Sequence, residues 1–203
     1  MLIEHFTKEK NTMNLLDSIV NHNKNYVESK AYETLESDKF PDKHLALVAC
    51  MDARLVELLP QAMGLKNGDA TLIKNAGALI THPWGSVMRS LLIAIYQLNA
   101  KEICIVAHHD CGVKGIDPEQ VLTKAKAHGI SDETIKTLMS AGIDLMAWLK
   151  GFDKVEDSVR HTVETVRAHP LIPKDVPVHG LVIHPGTGQL TILVNGYDTL
   201  VSA

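Results

Sequence analysis

His44-Leu45-Ala46-Leu47-Val48-Ala49-Cys50-Met51-Asp52-Ala53-Arg54 decides the fold and supplies half of the candidate site. The run from His44 to Cys50 is continuously apolar after its first residue and has the length of a strand. Such a run marks a strand covered on both faces, as in parallel sheets. Working outward, Val56 to Met63 reads as a short helix stopped by Gly64. Asp69 to Lys74 reads as a second buried strand that ends at Asn75-Ala76-Gly77. Gly85 to Leu98 is apolar without a breaker and is expected to be a core-packed helix. Glu102 to Ala107 is a third strand that runs directly into His108-His109-Asp110-Cys111. Strand and helix alternate, which specifies an α/β protein with a mostly parallel central sheet flanked by helices.

The ends of the chain fit around this centre. Leu15, Leu16, Ile19, Val20, Tyr26 and Val27 recur at helical spacing among polar residues, so an amphipathic N-terminal helix is expected. Ser37-Asp38-Lys39-Phe40-Pro41-Asp42 breaks that pattern as a loop. Residues 118–168 are helical in pattern, with breaks near Gly129-Ile130-Ser131 and at Gly151. Val178–His184 and Leu190–Val194 are strands joined by Pro185-Gly186-Thr187-Gly188, a hairpin that adds an antiparallel edge strand. No repeat or linker divides the sequence, so residues 1–203 are read as one domain with a helical arm over 1–40 and a helical segment over 118–168. Trp84 and Trp148 are read as packing residues.

Composition narrows the class. Of 203 residues, 45% are hydrophobic and 22% charged, which is ordinary for a globular protein. A formal charge of -4 gives no basic footprint for nucleic acid or an anionic membrane. No uncharged apolar stretch approaches the roughly 20 residues that span a bilayer. The opening Met1-Leu2-Ile3-Glu4-His5-Phe6 lacks the regions of a signal peptide. Three cysteines, an odd number, argue against a disulfide framework and for free thiols in a reducing cytoplasm.

Those thiols carry the chemistry. Ligands gather beyond the carboxyl ends of parallel strands, and both Cys50 and His108 sit at such ends. Cys50, Asp52 and Arg54 alternate, so in extended backbone their side chains point the same way. His108 and Cys111 are brought together by a tight turn. Two thiolates and an imidazole make three zinc ligands and leave a fourth position open, the pattern of a catalytic rather than a structural site. A cysteine ending a strand is commonly just a small buried hydrophobe, and His-x-x-Cys alone is weak. Together with the strand context and the Asp52/Arg54 pair, the combination becomes specific. Cys104, inside the third strand, is expected to be a core residue. His184-Pro185-Gly186-Thr187-Gly188 lacks the lysine and helix of a phosphate loop and is read as a turn.

Cys50-x-Asp52-x-Arg54 followed by His108-x-x-Cys111-Gly112 resembles the β-class carbonic anhydrases. Lys74-Asn75-Ala76-Gly77 is similar to that family's Arg-Asn-Ala-Gly segment, with lysine in place of arginine. The resemblance covers residues 44–116 and extends loosely to the last strands; the helical stretch 118–150 falls outside it, as in a short, divergent bacterial branch. It implies one Zn²⁺ on Cys50, His108 and Cys111, and hydration of CO₂ to bicarbonate and a proton by hydroxide generated on the metal. It implies catalytic roles for Asp52 and Arg54, with Asp52 becoming a fourth metal ligand in an inactive form. Asn75, Ala76 and Gly77 would shape the substrate pocket through backbone groups, and the chain would be a homodimer or a higher homo-oligomer. His82 and His109 are candidate proton carriers, and Asp110 is expected to fix its loop. Three alternatives stay open: hydrolysis of carbon disulfide or carbonyl sulfide on the same metal, a non-catalytic zinc protein, and a redox pair of Cys50 with Cys111.

Overall fold

The computed structural model describes residues 14–200, which fall into two units divided between Ser37 and Asp38. In the first unit, α1 (Leu15–Glu28) starts where the Asn14 side chain accepts the Asp17 N–H at 2.9 Å. That bond satisfies one of the free amides of a helix start. None of the α1 residues is buried, although Leu15, Leu16, Ile19 and Val20 form its apolar side. A 3-10 turn over Ala31–Leu35 follows. The Met1–Phe6 segment lies outside the described residues.

The second unit is built on a five-stranded sheet. Its strands are β1 (Leu45–Cys50), β2 (Ala70–Asn75), β3 (Glu102–His108), β4 (Val178–Ile183) and β5 (Leu190–Val194), in the order β2-β1-β3-β4-β5. β1 pairs parallel with both β2 and β3, and β3 pairs parallel with β4. β5 alone is antiparallel, on the edge beside β4, as the hairpin reading required.

The alternation of side chains along each strand distributes the core into two layers. On one face Ala46, Val48, Ile103, Ile105 and Val182 pack against α3 (Ser86–Leu98) through Met88, Leu91 and Ala94. The same layer holds α7 (Val155–Ala168) through Val155, Val159, Val163 and Val166. On the other face Leu47, Ala49, Val106 and Ile183 meet Leu55 and Leu59 of α2 (Leu55–Ala62). Every residue of β1 is buried, which explains its unbroken apolar run.

β2 departs from the expectation of a buried strand. It lies at the sheet edge, only half-buried, with Leu72 44% exposed. An edge strand and an interior strand can share the same short apolar pattern, because that pattern reports face coverage and not pairing. The helical segment resolves into α4 (Pro118–Ala127), α5 (Asp132–Ser140), α6 (Leu145–Leu149) and α7, so it carries a further break at residues 141–144. Asp117, Ser131 and Asp144 each cap the helix that follows them. Gly151 sits so close to the loop after Cys111 that a Cβ there would lie 2.0 Å from the Val113 carbonyl oxygen. Only glycine permits that approach, and it lets the Gly115 N–H donate to the Phe152 carbonyl at 2.9 Å. The tryptophans are not core: Trp84 is 65% and Trp148 68% exposed.

Candidate metal centre

The strand register builds the site. Ala49 lies opposite Val106 and Cys50 opposite Asn75, so the ends of β1, β2 and β3 reach one rim together. Beyond β3 the chain turns through His109 and Asp110, the latter in left-handed backbone at φ 55°, and returns Cys111 toward Cys50. The Cys50 and Cys111 sulfurs are 3.8 Å apart. One ligand atom from each of Cys50, His108 and Cys111 lies within 4.8 Å of the others, and all three residues are buried. Among the described residues this is the one such group of histidine, cysteine and acidic side chains.

The imidazole of His108 is oriented for a metal. Its Nδ1 faces the His109 carbonyl at 2.8 Å, so that nitrogen carries the proton and donates. Nε2 is then the lone-pair nitrogen, and it is buried with no hydrogen-bond partner. A buried, unsatisfied acceptor costs free energy unless something fills it. A divalent cation between Nε2 and the two sulfurs does so, and the hydrogen bond at Nδ1 is the usual way a metal-binding tautomer is fixed. The donor set of two sulfurs and one nitrogen suits zinc. The residues fit the metal.

Asp52 and Arg54 are adjacent to this cluster but outside it. The strand ends at Cys50, and the chain turns directly into α2 instead of staying extended. Convergence therefore comes from the turn, where Asp52 Oδ1 accepts the Arg54 backbone N–H at 2.9 Å. The Arg54 guanidinium then grips the same carboxylate with Nε on Oδ1 and NH2 on Oδ2, both at 2.9 Å. Its other donors reach Asp110, NH1 to the carboxylate and NH2 to the carbonyl, again at 2.9 Å. One guanidinium fork thus ties the turn after β1 to the turn after β3. The Arg54 hydrogen bond holds the Asp52 carboxyl well below the usual carboxylate range, against a smaller opposing effect of burial. Asp52 Oδ2 lies 3.6 Å from His108 Nε2, at the margin of the ligand cluster.

The remaining candidates separate. Asn75 donates through Nδ2 to the Leu79 carbonyl at 2.5 Å, while its Oδ1 is buried and unpartnered. Ala76-Gly77-Ala78 form a 3-10 turn behind Cys50, and the Gly77 N–H points at the Cys50 sulfur from 3.4 Å. That contact went unseen in the sequence, where the only signal was a glycine closing a strand. Lys74 reaches the Leu55 carbonyl at 3.3 Å and so braces α2. His109 lies beside His184, with ring centroids 6.3 Å apart. His82 accepts the Trp84 backbone N–H at 3.0 Å within its own loop. Cys104 is half-buried, and burial with the nearby Glu102 charge pushes its thiol up to about 12.

Comparisons with known proteins agree with this geometry. A family model described as carbonic anhydrase matches residues 45–190. YvdA of Bacillus subtilis (strain 168), provisionally named a carbonic anhydrase, is 57% identical over 189 residues, covering 93% of this chain and 96% of that protein. The crystal structure of β-carbonic anhydrase isoform I from Trichomonas vaginalis superposes with a TM-score of 0.84 at 38% identity, covering 91% of this chain and all of that one. A carbon disulfide hydrolase of Acidithiobacillus thiooxidans is 30% identical over 158 residues, covering 73% of this chain and 76% of its own length. With its fold, its Cys-His-Cys cluster and these likenesses in hand, the chain belongs to the β-carbonic anhydrase family.

Proposed function

We propose that this protein catalyses the reversible hydration of CO₂ to bicarbonate and a proton, using one Zn²⁺ held by Cys50, His108 and Cys111. The observation that carries the reading is the buried, unpartnered His108 Nε2 aimed at two sulfurs that sit 3.8 Å apart. When bound, zinc acts as a Lewis acid that lowers the pKa of water toward about 7 and so supplies a nucleophile at neutral pH.

The protein side chains then orient and exclude. Asp52, ionised and clamped at both oxygens, would accept a hydrogen bond from the nucleophilic water and so set the direction of its lone pair. Arg54 keeps that carboxylate from rotating onto the metal, and Asp110 anchors Arg54 from the far side. A guanidinium and a cation would compete for the Asp52 carboxylate, so loosening the Arg54 clamp would free Asp52 to turn toward the metal. The buried walls of Leu47, Ala49 and Val106 keep bulk water from the ligands. In this reading Asn75, Ala76 and Gly77 would border the substrate, with the buried, unpartnered Asn75 Oδ1 on that side.

A second reading has a specific observation behind it: the likeness to a carbon disulfide hydrolase. Carbon disulfide and carbonyl sulfide are linear like CO₂ and would meet the same residues. Stopped-flow CO₂ hydration, run beside an assay for hydrogen sulfide release from carbon disulfide, separates the two. We expect CO₂ turnover to dominate, and sulfide release without CO₂ hydration would reverse the assignment.

The protein works as a homodimer or higher oligomer in this reading. The exposed apolar side of α1 and the open edge of β2 are surfaces that a second copy would cover. No helix among the described residues is long and apolar enough to cross a membrane. The free cysteines accord with a cytoplasmic setting.

A further inference from the structure

The metal-binding sulfurs are buried, and a buried thiolate needs compensation beyond the cation it shares. Cys50 is 3% exposed, and its sulfur accepts the Gly77 backbone N–H at 3.4 Å. That amide comes from the turn that ends β2.

Gly77 is specialised for this contact. It has φ 76°, a left-handed conformation that side chains resist, and Ala78 beside it is left-handed as well at φ 56°. A Cβ there would meet the Leu79 side chain at 3.2 Å and the Phe152 ring at 3.3 Å. Another residue would therefore have to change the backbone angle or push these neighbours away, and either displaces the amide from the sulfur. The glycine requirement and the N–H···S contact are independent observations on one atom group.

We infer that the Gly77 backbone amide is a positioning group for the metal: its N–H holds the Cys50 sulfur in place. This rests on the zinc reading and refines the role of Gly77 from pocket wall to ligand support. A sulfur already held where the cation needs it costs less to order when the cation binds, so the contact raises affinity. Contacts of this kind around a metal alter affinity or activity by about 10–100-fold when removed.

Cadmium-113 substituted for zinc in the full chain provides the test, because its spin couples through sulfur to a hydrogen-bonded amide proton. Cross-peaks from the metal to the Cys50 and Cys111 Cβ protons, and also to the Gly77 amide proton, are expected. Cysteine cross-peaks without the Gly77 amide would overturn the inference while leaving the metal site standing. No coupling to either cysteine would overturn the metal reading itself, so the two failures are distinguishable. Gly77→Ala, if it folds, is expected to bind Zn²⁺ about 10–100-fold more weakly in competition with a chelator. Unchanged affinity together with an unchanged Cys50 environment would refute the role.

Discussion

Replacing Arg54 isolates what the guanidinium does, because the structure shows what remains. Asp52 receives three short hydrogen bonds from Arg54: the backbone N–H and Nε on Oδ1, and NH2 on Oδ2, all at 2.9 Å. Arg54→Ala deletes the two side-chain bonds and spares the backbone one. Oδ2 then faces His108 Nε2, 3.6 Å away, on the side where the metal would be held. The carboxylate is expected to rotate and compete for the fourth position. Its pKa should also return toward the ordinary carboxylate range, since the Arg54 hydrogen bond is the main cause of its depression. Misplacing a group that handles the proton of the attacking water typically costs about 10²–10⁴-fold in rate. We therefore expect kcat/KM for CO₂ hydration to fall by that factor while zinc stays at one per chain. Arg54→Lys keeps charge but loses the fork, and should fall between the two. Stopped-flow hydration with a pH indicator, paired with elemental analysis of the same sample, reads both quantities. Activity within threefold of the parent protein in Arg54→Ala would refute the reasoning.

Other outcomes follow from the packing and the charges. In Gly180→Ala the new Cβ would lie 2.7 Å from Val159 Cγ1 and 3.0 Å from Val163 Cγ2. Overpacking of this kind costs about 1–3 kcal/mol, read as a lower urea midpoint. Adding Val159→Ala should make the pair less destabilised than the sum of the two singles, and simple additivity would contradict the contact. The Cys104 thiol, pushed up to about 12 chiefly by burial, gains thiolate only as pH rises toward that value. Its alkylation by iodoacetamide in the folded protein should keep accelerating from about pH 9 to pH 11, where an ordinary thiol has levelled off. A plateau at the lower pH, measured by mass spectrometry of the modified peptide, would show an unperturbed thiol. Because two thiolates offset the metal charge, hydration activity should climb between about pH 7 and pH 9. A steady fall over that interval would count against the ligand set.

The readable parts of the sequence were those in which burial and chemistry act locally. The apolar run of β1 declared a strand covered on both faces, and the structure buries all of it. The glycine-marked hairpin between β4 and β5 declared its antiparallel pairing. Cys50, His108 and Cys111 were legible because a parallel sheet places strand ends on one rim, whatever their separation in sequence. The position of β2 was not legible, since Ala70–Asn75 has the same apolar pattern at an edge as it would inside. Nor was the geometry of Asp52 and Arg54: alternation suggested an extended segment, whereas a turn into α2 brings the two together. Side chains that report loop packing misled as well. Trp84 and Trp148 have the size of core residues but sit on exposed loops and a short helix, where nothing in the local pattern gives their environment. The Gly77 amide escaped notice for a different reason, because a backbone donor leaves no trace in residue type.

Zinc content and CO₂ hydration measured on the same purified sample, with Cys50→Ser alongside, test the central claim most directly. The account predicts one zinc per chain with rapid hydration in the parent protein, and loss of both in the variant. A parent protein that hydrates CO₂ while free of metal, or a variant that keeps full zinc and full activity, would contradict it.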